Sequence, residues 1–71
     1  MRKKQHLSIG DEIESRRKKK DLMMCELAAR VGISNGYLND IEKGRRTPSM
    51  TVAVKIAKAL GCTVDDLLKA G

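Results

Sequence analysis

Polar side chains suited to hydrogen bonding with base edges are concentrated in the segment NGYLND, residues 35–40. The amides of Asn35 and Asn39 could each donate to and accept from adenine, and the carboxylate of Asp40 could accept from the amino group of cytosine. If the segment is helical, at about 100° per residue, Leu38 and Ile41 centre one apolar face. The opposite face holds Gly36, Asn39, Asp40 and Lys43, with Asn35 at its edge. The segment therefore predicts base recognition, and the alternative is an ordinary exposed polar face.

Three residues of this segment have individual expected roles. Gly36 has no side chain and would let the helix N-terminus come close to a duplex. Tyr37 lies at the flank of the apolar face, so we expect a half-packed ring with its hydroxyl near a phosphate or a thymine methyl. Asp40 would repel phosphates unless it meets a cytosine amino group or the neighbouring Lys43; alternatively, it rejects wrong bases. The candidate base contacts are Asn35, Gly36, Tyr37, Asn39 and Asp40.

Basic residues adjoin this segment and also open the chain. They can bind phosphates, which sets affinity and register rather than sequence choice. The net charge is +6 at pH 7, and residues 1–20 hold eight basic and three acidic side chains. Such a surface attracts nucleic acid or an anionic membrane, and no apolar segment is long enough to span a membrane. The candidate phosphate contacts are Lys43, Arg45 and Arg46, with Arg2, Lys3 and Lys4; for the latter three, a solvated charge run is an equal alternative.

A helix-turn-helix pattern at residues 24–43 would position these side chains. Leu27, Ala28 and Val31 lie at helical spacing, and Gly32 ends that helix where a positive φ is required. Ser34 can then cap a second helix. Two helices joined by so short a turn cross steeply, which is the geometry that presents the second helix to a DNA major groove.

The whole chain is predicted to form one compact all-α domain over residues 8–71, preceded by a flexible basic arm at residues 1–7. The expected caps of the first, fourth and fifth helices are Ser8, Ser49 and Thr63. The five predicted helices cover residues 8–19, 24–31, 35–43, 50–60 and 64–69.

Four motifs in this order resemble the phage-repressor type of helix-turn-helix domain, the XRE family, from about Ser8 to Leu68. They are LAxxVGI, YLxxIExGxRxP, KIAKALG and DDLL. The resemblance implies a double-stranded DNA-binding transcriptional regulator, a repressor acting as a homodimer on a pseudo-palindromic operator. It also implies a salt bridge between Arg17 and Glu42 that ties the first helix to the third. In similar domains the last helices form the two-fold contact, which makes Val64 and Leu68 the candidate dimer contacts.

The start of the second helix departs from the family pattern. Relatives usually have Ser or Thr followed by a phosphate-binding Gln, whereas this chain has Met23 and Met24. A methionine side chain cannot donate a hydrogen bond, but backbone amides at the helix end can hold a phosphate, so Met24 is kept as a candidate phosphate contact. The two methionines could also form an exposed apolar patch for a partner protein.

We expect no enzyme activity, cofactor or metal site, because the lone His6 lies in the basic arm without catalytic partners. In the cytoplasm, the expected location, Cys25 and Cys62 would not form a disulfide.

Three classes of function are left open. The first interpretation is the homodimeric regulator. The second is a protein-binding module of antitoxin or coactivator type, with DNA contact secondary. The third is non-specific nucleic-acid coating through the basic arm, and the lack of stacking aromatics argues against binding to single strands.

Overall fold

The computed structural model describes residues 9–68, and within them the chain forms five α-helices. They are α1 (Ile9–Lys19), α2 (Met24–Val31), α3 (Asn35–Glu42), α4 (Met50–Leu60) and α5 (Val64–Leu68). The predicted all-α, five-helix class is confirmed, and α3 ends one residue before its predicted end. The predicted arm at residues 1–7, the cap at Ser8 and the helix end at residue 69 lie outside the described residues.

Hydroxyl side chains begin three of the helices as the sequence predicts. The Ser34 hydroxyl accepts a hydrogen bond from a first-turn N–H of α3 at 3.0 Å, and the Ser49 hydroxyl does the same for α4 at 3.2 Å. At α5, the Thr63 hydroxyl accepts from the N–H of Asp66 at 3.1 Å, and the Asp66 carboxylate accepts from the N–H of Thr63 at 3.0 Å. Each cap satisfies a backbone donor that a helix leaves without an internal partner, so the starts of α3, α4 and α5 are locally encoded.

The core is aliphatic, and every helix contributes to it. Full burial of such a side chain contributes about 1.5–3 kcal/mol, so six of them supply a large part of the stability of so small a domain. The largest fully buried side chains are Ile13, Leu27, Leu38, Ile41, Ile56 and Leu67. Two of these centre the apolar face predicted for α3, which orients the opposite face of that helix outwards.

The turn between α2 and α3 depends on Gly32. Its φ of 84° is the left-handed conformation predicted for the end of α2. Its N–H donates to the carbonyl of Ala28 at 2.8 Å, and the N–H of Ile33 donates to the same carbonyl at 3.0 Å. These bonds end α2 and redirect the chain within three residues, so α3 starts against α2 at a fixed position.

A close backbone contact holds α1 against the C-terminal end of α3. Gly10 is buried, and a Cβ at this position would overlap the carbonyl oxygen of Ile41 and lie 2.9 Å from that of Glu42. Because glycine alone leaves this space free, Gly10 determines how near α1 can approach α3. The sequence pattern gave no signal for this role, since the contact joins residues more than thirty positions apart.

The two cysteines are free thiols. Cys25 is exposed, and Cys62 is half-buried against the core, where burial raises the pKa of its thiol. Among residues 9–68, no helix is long and apolar enough to cross a membrane.

Candidate nucleic-acid interface

The outward side of α3 carries all five candidate base contacts. Asn35 and Gly36 are exposed, and the other three, Tyr37, Asn39 and Asp40, are half-buried. Within residues 9–68, no atom lies within 4 Å of the position that a Cβ on Gly36 would occupy. The glycine is therefore not required by packing inside the domain, and the first turn of α3 is open to a large partner.

A shallow, open depression lies beside this first turn. It is lined by Ser34, Gly36, Tyr37, Asp40 and Arg46. The guanidinium of Arg46 lies 5.8 Å from the ring centroid of Tyr37, within the range of a cation–π contact. The Tyr37 ring also packs against the core, so it has the half-packed position that the sequence predicts. The depression thus joins α3 to the basic loop that follows it.

Asp40 contacts two arginines of this loop. Its Oδ1 lies 3.3 Å from Nη1 of Arg45, and its Oδ2 lies 3.4 Å from Nε of Arg46. The sequence predicts Lys43 as the cation next to Asp40, but the loop brings the two arginines to the carboxylate instead. Since the side chains of Arg45 and Arg46 are 63% and 64% exposed, both cations remain accessible to an anionic partner.

Three of the candidate phosphate contacts border α3 at its C-terminal end. Lys43, Arg45 and Arg46 are all exposed in the segment between α3 and α4. Three cations within four residues produce a local positive potential next to the polar face of α3, and exposed charges of this kind attract phosphates over about a Debye length.

The N-terminal end of α2 differs from the expected apolar patch. Met23 is 65% exposed, but Met24 is half-buried against the core, so the prediction of an exposed methionine pair is wrong for Met24. The carboxylate of Glu26 accepts a hydrogen bond from the N–H of Met23 at 2.8 Å. A carboxylate at this helix end competes electrostatically with a phosphate. The phosphate contact at Met24 stays a prediction, and Glu26 opposes it.

Arg17 and Glu42 form the ion pair that the resemblance implies. Nε and Nη2 of Arg17 donate to the two carboxylate oxygens of Glu42 at 2.8 Å and 3.1 Å, and Nη1 donates to the carbonyl of Leu22 at 2.8 Å. The side chains are 9% and 1% exposed, and the hydrogen bond to Glu42 raises the pKa of Arg17. This planar pair, joined by two hydrogen bonds, connects α1 to the end of α3. It therefore orients the candidate interface without being part of it.

The last helix presents one apolar side chain to solvent. Leu68 is 60% exposed, Val64 is half-buried against the core, and Leu67 between them is fully buried. Of the two candidate dimer contacts, Leu68 is therefore the more accessible to a second molecule.

Residues 13–67 match the helix-turn-helix family. An uncharacterized HTH-type transcriptional regulator of Mycobacterium tuberculosis is 44% identical over 58 residues, which are 82% of this chain and 41% of that protein. Among solved structures, the P22 c2 repressor protein in complex with synthetic operator 9T has a TM-score of 0.84 and 33% identity, over 89% of this chain and 96% of that one. The biofilm regulator SinR in complex with DNA has a TM-score of 0.80 and 36% identity, over 84% and 97%. The chain spans about two fifths of the length of the first curated relatives that it matches.

Proposed function

Because the chain belongs to the helix-turn-helix family, we propose that it binds double-stranded DNA in a sequence-specific manner and acts as a transcriptional repressor. The observation that carries this proposal is the open first turn of α3, whose polar face lies beside three exposed cations. The proposal is supported by the two similar structures that were determined with DNA.

In this proposal, α3 reads bases in the major groove. The amides of Asn35 and Asn39 offer the paired donor and acceptor that matches adenine, while Gly36 lets the backbone come close. Tyr37 contacts a phosphate or a thymine methyl, and Asp40 accepts from a cytosine amino group. These contacts determine which sequence is preferred, because the four base pairs differ in their major-groove edges.

The loop after α3 supplies affinity that does not depend on sequence. Lys43, Arg45 and Arg46 bind phosphates on the duplex backbone and set the register of α3 in the groove. Each phosphate contact releases condensed counter-ions, so binding weakens as salt rises. The domain performs no enzyme chemistry in this proposal, and it acts in the cytoplasm.

A single recognition helix contacts few base pairs. Small domains of this kind gain affinity when two copies pair across a two-fold axis and bind two half-sites. We propose a weak homodimer through α5, with Leu68 as the central contact and Val64 at its edge. The support is the 60% exposure of an aliphatic side chain in a helix that already buries Leu67 against the core. Two recognition helices would then meet half-sites about 34 Å apart on one face of the duplex.

The direct test selects tight binders from a pool of random duplexes and measures their affinities against unselected DNA at two salt concentrations. We expect a recurring pseudo-palindromic sequence that is bound more tightly than unselected DNA at both salt concentrations. A pool that stays random after several rounds, with binding lost as salt rises, would instead identify non-specific coating.

A protein-binding module is the second candidate function. It is favoured by the exposure of three large apolar side chains, Met23, Met50 and Leu68, at 65%, 67% and 60%. A module of this type would use such side chains as its apolar contacts, since exposed apolar patches mark protein-interaction sites. The selection experiment separates the two candidates, since a module of this type would enrich no duplex.

A further inference from the structure

Asp40 is connected to both loop arginines through its backbone as well as its side chain. Its carbonyl accepts the N–H of Arg45 at 2.8 Å and the N–H of Arg46 at 3.2 Å. Its two carboxylate oxygens each face one of the guanidinium groups. One residue of α3 therefore holds the backbone of this loop and also determines the charge that the loop presents.

The two kinds of contact differ in strength. The backbone bond to Arg45 is short, whereas the side-chain contacts, at 3.3 Å and 3.4 Å, are longer than the roughly 2.7–2.9 Å typical of charge-assisted hydrogen bonds. The Asp40 side chain is 33% exposed, and solvent weakens such ion pairs. Phosphates can thus replace the carboxylate at the guanidinium groups without unfolding the loop.

We propose that Asp40 acts as an internal counter-ion for Arg45 and Arg46, which lowers the affinity of the interface for random duplex and so increases its selectivity. The inference rests on the proposed function. With the carboxylate in place, the three residues present a net charge of +1 to phosphates; with the carboxylate neutralised, they present +2.

The charge affects random and selected duplexes unequally. A random duplex is bound almost wholly through phosphates, so the carboxylate opposes the main source of affinity. At a selected site, base contacts supply additional affinity, and the carboxylate can accept from a cytosine amino group in the groove. The carboxylate therefore lowers the affinity for random DNA more than the affinity for the selected site.

The test compares Asp40→Asn with Asp21→Asn, a matched control that makes the same change of charge at an exposed residue in the turn after α1. Asn tolerates the left-handed φ of 58° at this control position. We expect Asp40→Asn alone to bind random duplex more tightly and to steepen the salt slope by about 0.9, so that its gain is about 3.5-fold larger at about 50 mM than at about 200 mM salt. Its ratio of selected to random affinity should fall. Asp40→Ala should also increase the affinity for random duplex and lower the ratio of selected to random affinity.

Retention on immobilised heparin makes the result independent of the proposed function, because heparin is a polyanion without bases. Asp40→Asn should elute at higher salt than both the wild type and Asp21→Asn, even if no duplex is ever selected. If the two variants elute at the same salt concentration, the proposal that Asp40 is an internal counter-ion is refuted. Weaker binding of Asp40→Asn to random duplex, with unchanged helical content, would also overturn it and would assign Asp40 the role of positioning the guanidinium groups.

Discussion

Replacing Arg17 by Met should remove the strongest polar connection between α1 and α3. The variant loses two hydrogen bonds to Glu42 and one to the Leu22 carbonyl, while the methionine still fills part of the space. The Glu42 side chain is only 1% exposed, so its charge would be buried without a partner. Breaking a buried pair in this way typically reduces stability by about 3–5 kcal/mol.

That loss is large relative to the whole domain. At about 0.05–0.15 kcal/mol per residue, a chain of 71 residues has a total stability of about 4–11 kcal/mol. We therefore expect Arg17→Met to lower the free energy of unfolding by about 3–5 kcal/mol, measured by urea denaturation followed by circular dichroism.

Arg16→Met is the matched control on the same helix. Arg16 pairs with Glu12 at 2.7 Å, but the two side chains are 33% and 22% exposed and lie one helical turn apart. Such a solvent-exposed pair stabilises the fold only weakly, because water screens the charges. The double variant with Glu42→Met should recover most of the lost stability, since an apolar replacement leaves no charge buried. Equal effects of the Arg16 and Arg17 variants, or no recovery in the double variant, would refute this reasoning.

Asn35→Ala and Asn39→Ala should weaken a selected duplex more than random DNA, by about 1–3 kcal/mol for whichever amide makes a paired base contact; equal losses in competition binding would limit both residues to positioning. Arg46→Ala should lower both affinities and flatten the salt slope by about 0.9, and an unchanged slope would remove Arg46 from the phosphate contacts. Leu68→Glu should abolish cooperative binding to a duplex with two half-sites while its helical content stays the same, whereas unchanged stoichiometry would exclude this dimer surface. Gly10→Ala should destabilise the fold by about 1–3 kcal/mol in thermal melts, because the added methyl meets backbone atoms of α3. A gain in stability would mean that helix propensity outweighs the overlap.

The elements and their outward faces were predictable because their signals are local. The caps at Ser34 and Ser49 and the positive φ at Gly32 each depend on a few neighbouring residues. The burial of Leu38 and Ile41 follows from a 3.6-residue period, and the same period directs the candidate base contacts outwards. The pair of Arg17 and Glu42 came from the family resemblance, since residues 25 positions apart carry no local signal for a contact.

The sequence by itself thus determined the five helices, the turn between α2 and α3, and which side of α3 faces out, because helical periodicity and capping act within one or two turns. Tertiary structure alone decided that Gly10 lies against the α3 carbonyls and that Met24 is half-buried while Met23 is exposed. It also decided that Asp40 faces Arg45 and Arg46 rather than Lys43. These features depend on where the loop after α3 and the packing of separate helices bring atoms in space, and no periodicity along the chain specifies that.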